Sequence, residues 1–169
     1  LLPEDVETFS DAQAPFLSTI VGANPALAAS PVLWQRIGSR ASEVLSQLST
    51  LNLSGEDRGG VIDAILTSGC DVPVDALVRF GGQIAIFRAL AALAAGRLQF
   101  SWQWRSALSA HSEAVIEWLE GHPSLTPSEL EVGTRFLSPK AQRSRLAKVW
   151  QTGTTNGAST LSPRVAAFG

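Results

Sequence analysis

The chain has 169 residues, of which 13 are basic and 15 acidic, so its formal net charge is −2. Hydrophobic residues make up 45% of the sequence and charged residues 17%, which excludes a disordered polyelectrolyte, and the single cysteine, Cys70, excludes a disulfide scaffold. A chain of this length buries roughly two-thirds of the surface that its unfolded form exposes, so it can form a core without a disulfide or a metal.

Helix start signals recur along the chain as a Ser or Thr followed by Pro. The hydroxyl side chain accepts a backbone N–H at the N-cap, and the proline ring is preset for the first helical residue. The three pairs that precede hydrophobic runs are Ser30-Pro31, Thr126-Pro127 and Ser138-Pro139. Glu129, three residues after Thr126, completes a capping box.

Apolar residues at spacings of three and four predict the helices between these signals. In chain order they cover about 15–21, 31–48, 55–68, 73–78, 82–95, 102–120, 127–137 and 139–150. Gly38 is placed to bend the second of them, and Gly69 to end the third. No segment alternates apolar and polar residues over strand length, so we expect no sheet.

Residues 82–95 have almost no polar face, which predicts a helix that is buried on every side. The predicted fold is therefore all-α over residues 1–150, as one domain. It is an orthogonal helical bundle or a short α-solenoid of six to eight helices around this one central apolar helix. Residues 151–169 are rich in Gly, Ser and Thr, which is typical of a polar low-complexity tail or linker.

The cellular location of the protein is predicted from its first residues and from its most apolar run. The first dozen residues are acidic, unlike a signal peptide, and the most apolar run contains Arg88 and is shorter than the roughly 20 residues that cross a bilayer. A single unpaired Cys70 fits a reducing compartment. We expect a cytoplasmic protein without membrane contact. Because the chain contains no methionine and begins at Leu1, we also expect a fragment or processed product of a longer protein.

The familiar catalytic motifs are missing from the sequence. There is no G-x-x-x-x-G-K-[ST] loop for a nucleotide phosphate and no G-x-S-x-G turn for a serine nucleophile. His111 lies two residues before Glu113, so on one continuous helix it would point away from Glu113 and Glu117, and we interpret these carboxylates as a solvated face. We predict no catalytic residue, no metal and no cofactor. Cys70 paired with a histidine stays open as a nucleophile.

An aromatic group, Phe100, Trp102 and Trp104, is flanked by Arg97 and Arg105. Such a group can stack on bases or sugars. Phe100 precedes the Ser101 cap and Trp104 continues an apolar stripe, so we expect both to pack on the core. Trp102 is the one expected to stay partly exposed.

Charge is divided unevenly along the chain. Residues 1–131 contain seven basic and 15 acidic residues, a net of −8, whereas residues 132–169 contain six basic and no acidic ones. A basic helix can engage an acidic protein surface or phosphates, or it can lie against the acidic body of the same protein, and the sequence leaves these alternatives open.

Two tryptophan-containing helical segments, Leu33-Trp34-Gln35-Arg36 and Glu117-Trp118-Leu119, are separated by Ala-rich helices that end in glycine. This pattern over residues 26–150 resembles the HEAT-like helical-repeat regions of large bacterial multidomain NTPases. The resemblance implies partner recognition by the array, with nucleotide bound by a separate domain. It implies no functional residue.

The sequence thus predicts a non-enzymatic interaction or scaffold module, whose partner is another protein or other domains of the same protein. The candidate partner-binding residues are Arg135, Lys140, Arg143, Arg145, Lys148 and Trp102. The alternative is a nucleic-acid-binding helical domain that uses the same basic edge. A small enzyme with an unrecognised site is a third hypothesis.

Overall fold

A computed structural model describes residues 23–121 and 125–137, together with Thr19. Eight α-helices lie in these ranges: α1 Pro31–Ile37, α2 Ala41–Leu48, α3 Gly55–Ser68, α4 Val74–Gly81, α5 Gln83–Ala94, α6 Trp102–Ala110, α7 Ser112–Gly121 and α8 Pro127–Arg135. Two short 3₁₀ helices cover Pro25–Ala29 and Gly38–Arg40.

The described residues contain no strand, which confirms the predicted all-α fold. The helices belong to one compact unit, Leu1–Phe136. Apart from Thr19, the predicted helix at 15–21 lies outside the described residues, as do the predicted helix at 139–150, the domain end at residue 150 and the tail 151–169. None of the helices in the described ranges is long and apolar enough to cross a membrane.

The predicted side-chain caps are confirmed at Ser54 and Thr126, whereas Ser30 precedes α1 without the predicted bond from a backbone N–H to its hydroxyl. Ser54 Oγ accepts the Asp57 N–H at 3.1 Å at the start of α3, and Gly69 ends that helix with φ of 69°. Thr126 forms the predicted capping box at α8: its Oγ1 accepts the Glu129 N–H at 3.3 Å, while its own N–H donates to the Glu129 carboxylate at 2.7 Å. Local hydrogen bonding therefore fixes these boundaries.

Two helices that were predicted as continuous are broken. The first break is at Gly38, whose φ of 54° favours glycine, and it separates α1 from α2. The second is at His111, with φ −107° and ψ 41°, between α6 and α7. The reason for the second lies in packing, because α6 contacts α4 whereas α7 contacts α5 and α8. One straight helix over 102–120 would have to contact α4 with its first half and α5 and α8 with its second half, and the break lets the two halves take different directions.

Helix α5 contacts four others, α3, α4, α7 and α8. Its buried residues are Ala85, Ile86, Ala89, Leu90 and Ala92. The prediction of burial on every side is nevertheless wrong, because Ile84, Phe87 and Leu93 are only half-buried and Arg88 is exposed. The Arg88 guanidinium pairs with the Asp63 carboxylate of α3 at 2.9 Å, and a charge of this kind keeps its side of the helix at the surface.

Glycine allows two helix pairs to approach closely. Gly81 of α4 faces Ile62 of α3, and Gly133 of α8 faces Leu119 of α7. A Cβ atom at Gly133 would contact Leu119 Cδ2 and lie 2.8 Å from its Cγ, which is closer than carbon atoms pack. Both residues are buried, so neither has room to move into solvent.

We predict that Gly133→Ala lowers the free energy of unfolding by about 1–3 kcal/mol, because it overpacks the α7–α8 contact. Urea unfolding followed by circular dichroism measures the change. The matched control is Gly55→Ala, where the added Cβ would meet Ile84 Cδ1 at an ordinary 3.4 Å. There we expect no loss and a gain of up to about 1 kcal/mol from reduced backbone entropy. Equal effects of the two substitutions would contradict the close packing at Gly133.

Candidate partner-binding surface

The connection from α5 to α6 is held at both ends. After Ala94, Gly96 takes a left-handed conformation with φ of 68°, and the next two N–H groups donate to the Ala92 carbonyl at 2.9 and 3.2 Å. At the other end, Ser101 Oγ accepts the Trp104 N–H at 3.3 Å and begins α6. Phe100 therefore lies on a short segment anchored to two helices.

The three aromatic residues of this region differ in exposure. Trp104 is buried, and Trp102, the first residue of α6, is 76% exposed, so both expectations are confirmed. The expectation for Phe100 is wrong, because its side chain is 43% exposed instead of lying in the core. The physical reason is that its contacts come from the end of α8 and not from the interior.

Phe100 packs against two consecutive residues at the end of α8. Its ring centroid is 5.6 Å from that of Phe136, with the planes tilted by 33°. The guanidinium carbon of Arg135 lies 5.5 Å from the Phe100 centroid, and its Nη2 donates to Glu131 Oε1 at 3.0 Å. A cation over an exposed ring contributes about 0.5–1 kcal/mol. We call the residues Phe100, Trp102, Arg135 and Phe136 the Phe100 surface.

A small cavity of about 100 Å³ opens beside this surface, and we call it the notch. Its walls are Leu93, Leu98, Phe100, Val132, Arg135 and Phe136. Five of these six side chains are apolar. Since one water needs about 10–15 Å³ of such space, the notch can take several waters or the end of one aliphatic side chain.

Of the predicted partner-binding residues, the structure brings Arg135 next to Phe100 and leaves Trp102 exposed two residues along the chain. Lys140, Arg143, Arg145 and Lys148 lie outside the described residues. The sequence reasoning missed Phe136 and the notch. A signal for them was present, because Val132 and Phe136 are four residues apart and so share one face of a helix.

A second site candidate is a cleft at the junction of α6 and α7. Two cavities, of about 490 and 400 Å³, share Val78, Ala110 and His111 as lining residues. The polar side chains of the cleft are Asp75, Arg79, Gln83, Ser106, His111, Ser112, Glu113 and Glu117. Helix α6 has its C-cap at His111, and His111, Glu113 and Glu117 all line the larger cavity.

The chemistry of the His111 cleft is limited by what lines it. Gln83 donates its side-chain N–H to the Glu117 carboxylate, which ties α5 to α7 across the larger cavity. In the part of the chain that the structure describes, no three His, Cys, Asp or Glu side chains are grouped to hold a metal ion. Cys70 is not among the residues that line either cavity.

Cys70 is half-buried. Burial raises the pKa of its thiol above the ordinary value, and a hydrogen bond with the Ser68 side chain offsets only part of this. Because the thiolate is the nucleophile, a raised pKa makes the thiol less reactive at neutral pH.

We predict that alkylation of Cys70 by iodoacetamide has its pH midpoint at a higher pH in the folded protein than in the same protein unfolded in concentrated urea. Burial disfavours the thiolate only while the chain is folded. Rates measured by mass spectrometry across a pH series give both midpoints. A folded-state midpoint equal to or below the unfolded one would contradict the raised pKa and revive the cysteine-nucleophile hypothesis.

In comparisons with protein families, with curated proteins and with solved structures, nothing matched this chain. The candidate site therefore depends on its own geometry. That geometry consists of two exposed aromatic rings, a stacked arginine and an apolar notch, all positioned by α5, α6 and α8.

Proposed function

We propose that the chain is a non-enzymatic helical interaction or scaffold module that contacts a protein partner through the Phe100 surface. The observation that carries the proposal is the exposure of Trp102 two residues from the half-exposed Phe100. An aromatic side chain buries about 150–250 Å² when it leaves water completely, and the exposed parts of Trp102 (76%) and Phe100 (43%) are the apolar area that a partner could still bury. Trp and Arg are also enriched among the residues that dominate binding energies at protein interfaces.

The surface is partly ordered before any partner arrives. Phe100 is held by the ring of Phe136 and by the Arg135 guanidinium, and Arg135 is itself oriented by Glu131. Ordering side chains on binding costs about 0.5–1.5 kcal/mol for each flexible one. Contacts that already fix Phe100 and Arg135 reduce this cost, which supports an interface.

Three further predictions enter the proposal. The basic residues that follow α8, Lys140, Arg143, Arg145 and Lys148, extend the contact by attraction to acidic groups. The resemblance of the sequence to HEAT-like repeat regions, which recognise partners, remains a prediction that is consistent with such a role. The unpaired Cys70 supports a cytoplasmic location.

A nucleic-acid-binding domain is the second candidate, and one observation favours it. Arg105 follows Trp102 by three residues on α6, so both can face the same strand of nucleic acid, with a base stacked on the indole.

We predict that a photoreactive phenylalanine analogue at position 102 cross-links to a protein in the cells that produce this chain. The indole position is the most exposed large apolar site among the described residues, so an interface there places a partner within reach. The matched control carries the analogue at Val32, which is 44% exposed on α1, and should not capture the same partner. Mass spectrometry of the adducts identifies their class.

Capture of the same proteins at positions 102 and 32, or none at 102, would contradict the proposed function. Adducts at 102 that are RNA or DNA would favour the second candidate. In that case the affinity should fall with salt, with a slope set by the number of phosphates contacted, and Lys140, Arg143, Arg145 and Lys148→Ala should reduce the slope.

A further inference from the structure

The charged residues nearest the Phe100 surface are mostly basic, and the one carboxylate in contact with it, that of Glu131, is paired with Arg135. The segments that frame it, 93–105 and 132–137, contain Arg97, Arg105 and Arg135 and no acidic residue. Arg135 is paired with Glu131 on its own helix, whereas Arg97 and Arg105 are exposed and have no ion pair among the described residues. Two arginines that form no ion pair within the described part of the chain, close in sequence to an aromatic surface, favour an anionic ligand.

The notch adds a second property that a ligand of this surface should have, an apolar group small enough to enter it. Three of its six lining residues, Leu93, Leu98 and Val132, are aliphatic, and its volume is that of one side-chain end. A nucleic acid could use the arginines and stack a base on Trp102, but it has no aliphatic side chain to fill the notch. A polypeptide can supply both the negative charges and the apolar anchor.

We infer that the Phe100 surface binds an acidic polypeptide segment, which inserts one aliphatic side chain into the notch and places carboxylates against Arg97 and Arg105. This inference rests on the proposed function and names the class of partner. The aliphatic anchor packs between Val132 and the Phe100 ring, while Trp102 covers the neighbouring stretch of the segment. Carboxylates elsewhere in the segment meet the guanidinium groups.

The test uses the full chain and three synthetic peptides that differ in one property each. The first peptide has glutamates on both sides of a single leucine, the second replaces that leucine by serine, and the third replaces the glutamates by glutamines. Binding is followed through the indole N–H signal of Trp102 in nuclear magnetic resonance spectra, assigned by its loss in Trp102→Phe. We expect the first peptide to bind about tenfold to a hundredfold more tightly than the second, from burial of one leucine.

Protein variants separate the contribution of the apolar contact in the notch from that of the charge contacts. Val132→Phe fills the notch, so it should reduce binding of the leucine peptide at least about tenfold and leave the serine peptide unchanged. Arg105→Gln should weaken the glutamate peptides and flatten their salt dependence, whereas Arg36→Gln, on the exposed side of α1, should not. Because Arg105 and Arg36 are both exposed, these two variants test the charge contribution even if Val132→Phe unfolds the protein.

Equal affinity for the leucine and serine peptides, or for the glutamate and glutamine peptides, would overturn the inference. Tighter binding of a lysine-flanked leucine peptide, or displacement of the acidic peptide by single-stranded DNA at equal charge, would overturn it as well. Failure with the peptides alone is distinct from failure of the proposed function, because a protein adduct at position 102 would then still be found. If no protein adduct forms at position 102, the proposed interface itself is contradicted.

Discussion

The close approach of α7 and α8 at Gly133 is the constraint on which the candidate surface depends. Leu119 fills the space where any other residue at position 133 would carry its Cβ, so the Leu119 side chain lies directly against the backbone of α8 at this point. Helix α8 also packs on α5. Helix α8 ends two residues later at Arg135, and Phe136 follows it. The side chains of Arg135 and Phe136 both contact Phe100 on the α5–α6 connection. A looser α8 would separate the rings.

The other side of the surface depends on α5. This helix contacts α3, α4, α7 and α8, and its last turn holds the α5–α6 connection through the Ala92 carbonyl. Leu93, half-buried near the end of α5, becomes a wall of the notch. Packing in the interior and exposure at the surface are thus connected, because the helix that organises the core also positions the residues around Phe100.

Features that depend on local chemistry were predictable from the sequence. The caps at Ser54 and Thr126 follow from hydrogen bonds within one helical turn, and the exposure of Trp102 follows from its position at the start of α6. The break at His111 was not predictable, because the apolar stripe continues through it and only contacts with α4, α5 and α8 require it. The prediction that Phe100 packs in the core was wrong for the same reason. Its contact residues, Arg135 and Phe136, are distant in sequence and become adjacent only after α8 has packed.

The most direct test measures the nuclear Overhauser effect between the ring protons of Phe100 and Phe136, in the natural sequence and in Gly133→Ala. The structure places the ring centroids 5.6 Å apart, so a cross-peak is expected in the natural sequence. In Gly133→Ala, at a temperature where the helices remain formed, the cross-peak should weaken or vanish as α8 shifts away from Leu119. An unchanged cross-peak in Gly133→Ala, or none in the natural sequence, would contradict the claim that this close packing builds the Phe100 surface.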